Sequence, residues 1–535
     1  MRSLTKNSKV EPMQRTDVAI IGAGLSGIVA AAAAAEAGAS VLLVDRGGVG
    51  LGTNSAMSNG YFCGPTETYS PEDYVADTLD IGRGINRRSY VERVAAQAGE
   101  AFDYLAGLGV ELTPGPNFYL APTPRQDVFR GTSMMSALAK AMRGRAGVGV
   151  VSGLQVRRLL KKEGRVAGLE GVDSKGRTVR ISAKAVVLAC GGAGAVYAVN
   201  DNMKAIMGQG YTLAAQAGLP LMDLEFVQFY PLVLVEPGLP PVMLYPSYPA
   251  QARLLNAAGE DILARHGLND VNQAIMGLRD KLSEIIAAEA KQGPVRMDYS
   301  AVPEELWPDY PMALLSHMKF DFRSQPVAVM PGAHFCMGGV EVDGQGRTAL
   351  PGLYACGEMV WGLHGANRRG GNALTECLVS GRLAGQGAAQ QALAGQAFPL
   401  EEASPAEPEA TPQSSQGNPL RGLRERLREI TWQRAGILRT AQDLALGQGE
   451  LAEWAGELDQ APTATPRQEW LRWDLACGGR FAAGVMAASL ARHESRGALL
   501  RSDYPEQDDA AWRVNSRLQL EPDNVWSVSH QPVED

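Results

Sequence analysis

The run DVAIIGAGLSGIVAAAAAAEAGASVLLVDR, residues 17–46, restricts the possible folds of this chain more than any other stretch. An apolar strand pattern enters glycines at GxGxxG spacing, an alanine-rich helix pattern follows, and VLLVD supplies a second strand. Such a βαβ unit suits a dinucleotide. Gly22 permits the sharp turn, Gly24 lets a pyrophosphate approach the backbone, Gly27 allows close helix packing, and the helix N-terminus favours the phosphates. Asp45 closes the second strand, where a carboxylate can hydrogen-bond a ribose hydroxyl. Both strands, the helix and the acidic residue stand in their required places, which leaves NAD and FAD open.

Two later stretches favour FAD. AKAVVLACGGAG (183–194) and LPGLYACGEM (350–359) are buried-strand patterns ending in glycines, and they read as returns of the chain to one parallel sheet around a long insertion. The expected fold is α/β: a Rossmann-like FAD-binding domain of residues 1–235 and 346–397, with an inserted α+β capping domain over 236–345. Residues 398–419 are rich in Pro, Glu, Ser and Gln without periodicity and are expected to be a linker. Apolar residues at helical spacing predict a C-terminal helical domain over 420–505, and residues 506–535 read as an extended tail.

At 535 residues the chain is too long for one core and predicts roughly two to four structural units. A net charge of -8 with 20% charged residues lacks the basic excess of a nucleic-acid binder. The N-terminal stretch has no apolar region of the secretory kind, so a cytoplasmic protein is expected. The apolar run around Ile28 to Ala35 falls well short of the roughly 20 residues of a membrane helix, so any membrane contact would come through a partner subunit. Six scattered cysteines form no CxxC pair, which argues against an iron–sulfur cluster built from this chain alone. His266, His317, His493 and His530 have no ligand spacing and read as surface or structural residues.

Further motifs carry a resemblance: GQGYTLAAQAGLPLMDLEFVQFYP (208–231), GLRDKL (277–282), GAHFCMGGVEVD (332–343), PGLYACGEMVWGLHGANRRGGNALTECLVSGRLAG (351–385) and ESRGALLRSDYPEQDD (494–509). Together with the first glycine motif, they make the chain resemble the flavoprotein subunits of succinate dehydrogenase and fumarate reductase and their soluble relatives. The resemblance implies FAD held near Gly22, Gly24, Gly27, Asp45, Arg46, Asn54, Ser55, Gly60, Gly191, Glu358, Asn372, Ala373 and Leu374. Asn54 stands where membrane-bound relatives carry the histidine that attaches FAD, so a non-covalent cofactor and the reducing direction are expected.

By the same resemblance, His334 and Arg368 grip one substrate carboxylate, His364 lies near Arg368, and Arg279 gives a proton to the substrate carbon as hydride arrives from flavin N5. Here the chain departs from the family. Tyr230 replaces the histidine for a second carboxylate, and LYPSYPAQA (244–252) puts Leu244, Tyr245 and Tyr248 where Thr, Glu and Arg belong. In one reading, an apolar or aromatic substrate group meets Tyr230 and Leu244 while Tyr245 and Tyr248 relay protons to Arg279. In the other, the tyrosines are packing residues in a vestigial site. Arg369 replaces the family's usual leucine and reads as a salt bridge or surface charge.

The expected function is an FAD-dependent oxidoreductase acting on CH–CH groups, reducing or forming a C=C bond beside the carboxylate of a small unsaturated acid. An alternative is a flavin electron-transfer subunit within a larger iron–sulfur complex, suggested by the C-terminal helical region and ESRGALLRSDYPEQDD. In either case the expected partner is an iron–sulfur or other electron-transfer subunit. An oxidase or an adenylylsulfate reductase-like activity is a third possibility.

Overall fold

The computed structural model describes residues 14–244, 246–268, 270–395 and 419–534. Its largest sheet has seven strands. Val148–Ser152, Val41–Asp45, Gln14–Ile21, Thr178–Leu188 and Leu353–Ala355 run parallel, and Arg165–Asp173 and Leu154–Lys162 extend the sheet antiparallel. The two expected returns of the chain pair directly, Leu353 with Val186 and Ala355 with Leu188.

The alanine run has a packing reason. The helix Leu25–Glu36 is buried on nearly every face and lies against the long helix Asn372–Ala394. A Cβ at Gly381 would meet the Ser26 carbonyl oxygen at 2.6 Å, and one at Gly385 the Ala30 oxygen at 2.3 Å. Small residues on both sides let two backbones approach where ordinary side chains would hold them apart.

Two long antiparallel strands, Val227–Leu234 and Val327–Cys336, lead out of this domain into the cap and are joined by Val295–Asp298 and Arg253–Leu255. The cap has its own core, including Leu254, Ile286, Met297 and Trp307, and that core already includes Tyr230. The strand pair thus straddles both domains and places Tyr230 and His334 at their junction.

Helices Pro419–Ala435, Ala441–Gln460 and Pro466–Ala491 pack together in the C-terminal region. The expected tail is folded: Val514–Leu520 and Trp526–Pro532 form a hairpin, and the first of these strands pairs with Leu221–Met222. Polar residues that read as a tail are its anchors. Asn515 Nδ2 donates to Asp223 at 2.7 Å and Ser516 Oγ to Glu225. Of the expected linker, all but Pro419 lies outside the described residues. Among the described residues, no helix is long and apolar enough to cross a membrane.

Candidate active site

Two cavities adjoin and share Asn54, Ser55, Met57, Asp201, Val242 and Glu358 among their lining residues. The larger, about 520 Å³, runs along the C-terminal ends of the parallel strands. Its chemistry fits the expected dinucleotide. Gly22 has φ of 108°, and a Cβ there would lie 2.2 Å from the Ala189 oxygen, so the turn requires glycine. Gly24 lines the cavity, and no atom outside its neighbours would come within 3.6 Å of a Cβ there, so bare backbone faces the space a pyrophosphate needs. Gly191, with φ of 73°, also lines it.

These two glycines give separable expectations. Gly24→Val should fold yet lower FAD affinity by about 10- to 100-fold, or about 1.4–2.8 kcal/mol, because its side chain fills the phosphate cradle. Gly27→Val should fail to give folded protein, since its Cβ would stand 1.9 Å from the Gly22 oxygen. Flavin titration of the purified proteins checks both; equal FAD affinity in Gly24→Val and wild type would contradict the cradle.

Several expected cofactor residues line the cavities while engaged elsewhere. Asp45 accepts from Ala23 N at 2.9 Å and Gly47 N at 2.6 Å, and burial raises its pKa. Arg46 pairs with Asp474 at 2.8 Å. Asn54 donates to Asn202 at 2.6 Å, and Ser55 Oγ accepts from Leu25 N at 3.2 Å. Glu358 accepts from Cys336 N at 3.2 Å, and burial pushes its carboxyl up to about 7. Ala373 and Leu374 line the smaller cavity.

Gly60 and Asn372 line neither cavity. A Cβ at Gly60 would meet Arg130 Cβ at 2.8 Å, so this glycine serves local packing. Asn372 is fully buried and donates to Thr78 Oγ1 at 3.3 Å. The motif predicts neither destination, because both depend on segments distant in sequence.

The smaller cavity, about 200 Å³, lies between the nucleotide domain and the cap. Three basic side chains reach it: Arg279, His334 and Arg368. Arg368 is 6% exposed, donates from Nε to Gln228 at 3.1 Å, and lies 4.6 Å from the Phe335 ring centroid. Burial, then repulsion from Arg279, lowers its pKa to about 9. Arg279 stands 5.7 Å from the Tyr230 ring centroid, and its buried Nε has no hydrogen-bond partner among the described residues. Gly370 makes room for it, since a Cβ there would lie 3.2 Å from Arg279 Nη2. His334 Nδ1 is 2.7 Å from Asp201 Oδ2, which fixes the ring and leaves Nε2 for a ligand. Two arginines repelling each other in a buried cavity favour an incoming anion.

The same cavity is also lined by Val242, Met243, Pro246 and Ile275, and by the Tyr230 ring, which lies beside Arg279 and His334. Leu244 and Tyr248, expected at the substrate, do not line this cavity and belong to the core of the cap. Tyr248 donates to the Leu244 carbonyl oxygen, and its own oxygen lies 3.0 Å from that of Tyr230. With its single proton so committed, Tyr248 must accept from Tyr230. That chain of hydroxyls ends on a carbonyl, which has no proton to return, so the Tyr248 proton is directed away from Arg279. Tyr245 lies outside the described residues.

His364 stands near Arg368, as expected, since both pack on the Phe335 ring. It is buried, contacts Glu376 at 2.9 Å and packs edge-on to Phe335, away from both cavities. Arg369 pairs with Asp77 at 3.3 Å. The sequence reading missed Asp201, Gln228 and Asn367. Gln228 and Asn367 lie within quoted motifs, whereas Asp201 reaches His334 only because Asn200 bridges Ala333 in the fold.

Comparison with known proteins gives a consistent picture. An FAD binding domain family matches residues 17–374, and a fumarate reductase flavoprotein C-terminal family matches 424–535. The chain is 31% identical to the L-aspartate oxidase of Streptomyces coelicolor, covering 96% of this chain and 93% of that protein. It is 32% identical to that of Agrobacterium fabrum, covering 97% and 96%. The quinol fumarate reductase of E. coli superposes with a TM-score of 0.85 at 26% identity, over 98% of both chains.

Proposed function

The chain belongs to the fumarate reductase and succinate dehydrogenase flavoprotein family of FAD-dependent oxidoreductases, and from that premise we propose that its substrate is a carboxylate with an apolar far end. The reaction is the reduction or formation of the C=C bond beside that carboxylate. One observation carries this reading: Arg279, Arg368 and His334 share a cavity with the apolar side chains of Val242, Met243, Pro246 and Ile275.

In this reading Arg368 and His334 hold the carboxylate, with Gln228 orienting the first and Asp201 the second. FAD, when bound, supplies the two-electron hydride chemistry. Fixed cations stabilise the enolate charge that gathers on the carboxylate, and a cavity shielded by the cap strengthens that effect. Arg279 supplies the proton for the substrate carbon. A second carboxylate would press against Val242, Met243 and Ile275, where desolvating a charge costs several kcal/mol. Electrons are exchanged with a separate iron–sulfur or other electron-transfer subunit, a reading supported by six free cysteines scattered through the fold.

A second reading, oxidation of a C–N bond in an amino acid, is favoured by similarity to L-aspartate oxidases along nearly the whole chain. One experiment separates the two. Protein reduced without oxygen is mixed with fumarate or with unsaturated monocarboxylates, aromatic ones included, and oxidised protein is mixed anaerobically with L-aspartate and with apolar amino acids. The expected outcome is flavin reoxidation by a monocarboxylate at least about a hundredfold faster than by fumarate. Equal or faster reoxidation by fumarate would remove the apolar-wall argument, and bleaching by an amino acid would establish C–N oxidation instead. Reaction with an artificial acceptor alone would leave only an electron-transfer role.

A further inference from the structure

We infer that Asp474, on the helix Pro466–Ala491 of the C-terminal region, is a positioning residue for FAD. It holds three side chains in the wall of the cofactor cavity, so that FAD binding and the seating of this helix support each other. This requires the cofactor but neither substrate reading.

The geometry is a convergence on one atom. Asp474 Oδ1 accepts from Arg46 Nη1 at 2.8 Å, from Gln155 Nε2 at 2.9 Å and from Gln209 Nε2 at 2.7 Å. The donors come from distant parts of the chain: the residue after the strand Val41–Asp45, the strand Leu154–Lys162 and the helix Gln209–Gln216. All three donor residues line the larger cavity, whereas Asp474 does not and is buried. Arg46 follows Asp45, the carboxylate placed to meet a ribose hydroxyl, so this part of the wall faces the adenylate half of the cofactor.

The two glutamines are committed as donors. Gln155 Nε2 also donates to the Trp470 carbonyl oxygen at 3.0 Å, and Gln209 Nε2 to that of Ala205 at 2.8 Å. Arg46 differs. It gives one N–H to Asp474, and its guanidinium lies 5.4 Å from the Trp470 ring centroid, which leaves its other donors to meet the ribose or the adenine. Trp470 and Asp474 stand one turn apart on one face of the helix and grip the guanidinium together. An arginine side chain has many rotamers, and holding it in one beforehand removes an ordering cost that the ligand otherwise meets.

The dependence runs both ways. A buried carboxylate is costly unless paired, so the bonds that shape the cofactor wall also seat the helix on the nucleotide domain. A ligand that fixes Arg46 therefore strengthens the helix's seat, and a seated helix strengthens ligand binding by the same factor.

Asp474→Asn keeps the size and an acceptor oxygen while removing the charge that holds Arg46. Holoenzyme carrying it should release FAD on dilution, read as flavin fluorescence, with an affinity about tenfold weaker than wild type. ADP, which has the adenylate half without the flavin, should lose the same factor on FAD-free protein. Arg46→Met should weaken FAD at least as much, and adding Asp474→Asn to it should cost less than about a further twofold, because the carboxylate acts through Arg46. Losses that multiply in the double variant, unaltered ADP binding, or FAD affinity in Asp474→Asn within about twofold of wild type would each overturn the positioning role. Wild-type protein supplies a test that needs no variant to fold. Removing FAD should speed hydrogen exchange in Pro466–Ala491 at least about threefold more than in Arg88–Gly107, a helix that supplies no residue to either cavity. Equal changes in the two helices overturn the linkage.

Discussion

Arg279→Gln is expected to lower turnover of the carboxylate substrate by about 10²- to 10⁴-fold, the usual worth of a positioned acid, while FAD content and flavin spectrum stay as in wild type. The separation follows from how the side chain is held. Its Nε has no partner among the described residues, its guanidinium lies over the Tyr230 ring, and it faces the smaller cavity and not the one that fits FAD. Removing it also relieves Arg368 of a repelling neighbour, though it leaves Asp280 without the stronger of its two cations. These effects oppose each other, so stability should stay within about 1 kcal/mol of wild type. Anaerobic single-turnover reoxidation measures the step directly. Turnover within about threefold of wild type would mean that the proton comes from elsewhere.

Arg492→Met is expected to cost about 3–5 kcal/mol of stability, the range seen when one partner of a buried ion pair is removed. Arg492 has no exposed surface and pairs with Glu225 at 2.8 Å and Glu494 at 2.9 Å, both equally buried. It also donates to the carbonyls of Trp512 and Val514, where the chain enters the C-terminal hairpin. Methionine fills the volume but strands the Glu225 carboxylate, whereas Glu494 keeps Arg496 at 2.7 Å.

The loss should be greater at pH 8 than at pH 6. Burial, then the charge of Glu225, raises Asp223 to about 7, and Arg492 is the cation that opposes the rise. A carboxyl whose folded pKa exceeds its unfolded value loses stability as pH climbs between the two. Without Arg492 the folded value moves higher still, and the loss continues past 7. Thermal melts of the FAD-loaded protein at both pH values provide the check. A loss below about 1 kcal/mol, or one independent of pH, would show that the carboxylates find other partners. Glu225→Gln added to Arg492→Met should recover part of the loss, because one stranded charge is gone.

The two variants mark the two sides of what a sequence reveals. Arg279 stands out because its chemistry sits inside a recognisable motif, GLRDKL, and the same holds for His334 and Arg368. Arg492 carries no such mark; its importance comes from Glu225 and the hairpin, which are remote in the chain. Tyr230 falls between. Its strand has register shifts between Gln228 and Phe229 and between Tyr230 and Val233, so simple alternation along the strand does not say which side chains face the cavity. Tyr248 and Leu244 turn into the cap core, where the Tyr248 hydroxyl donates to the Leu244 carbonyl four residues back and also meets the Tyr230 hydroxyl of another strand.

By itself the sequence determined the nucleotide-binding βαβ unit, the return of two later strands to its sheet and the family, and it singled out three basic residues that line one cavity. These are local properties: glycines needed for turns and close approach, apolar periods of 2 and 3.6 residues, and short motifs whose spacing is their content. Tertiary structure alone decided that Asp201 orients His334, that Gly60 and Asn372 stand off the cofactor cavity, that the last residues form a hairpin closing over Asp223 and Glu225, and that Asp280 meets Asn367. Each joins residues far apart in the chain, and the destination of a buried polar side chain is set by whichever distant partner satisfies its hydrogen bonds.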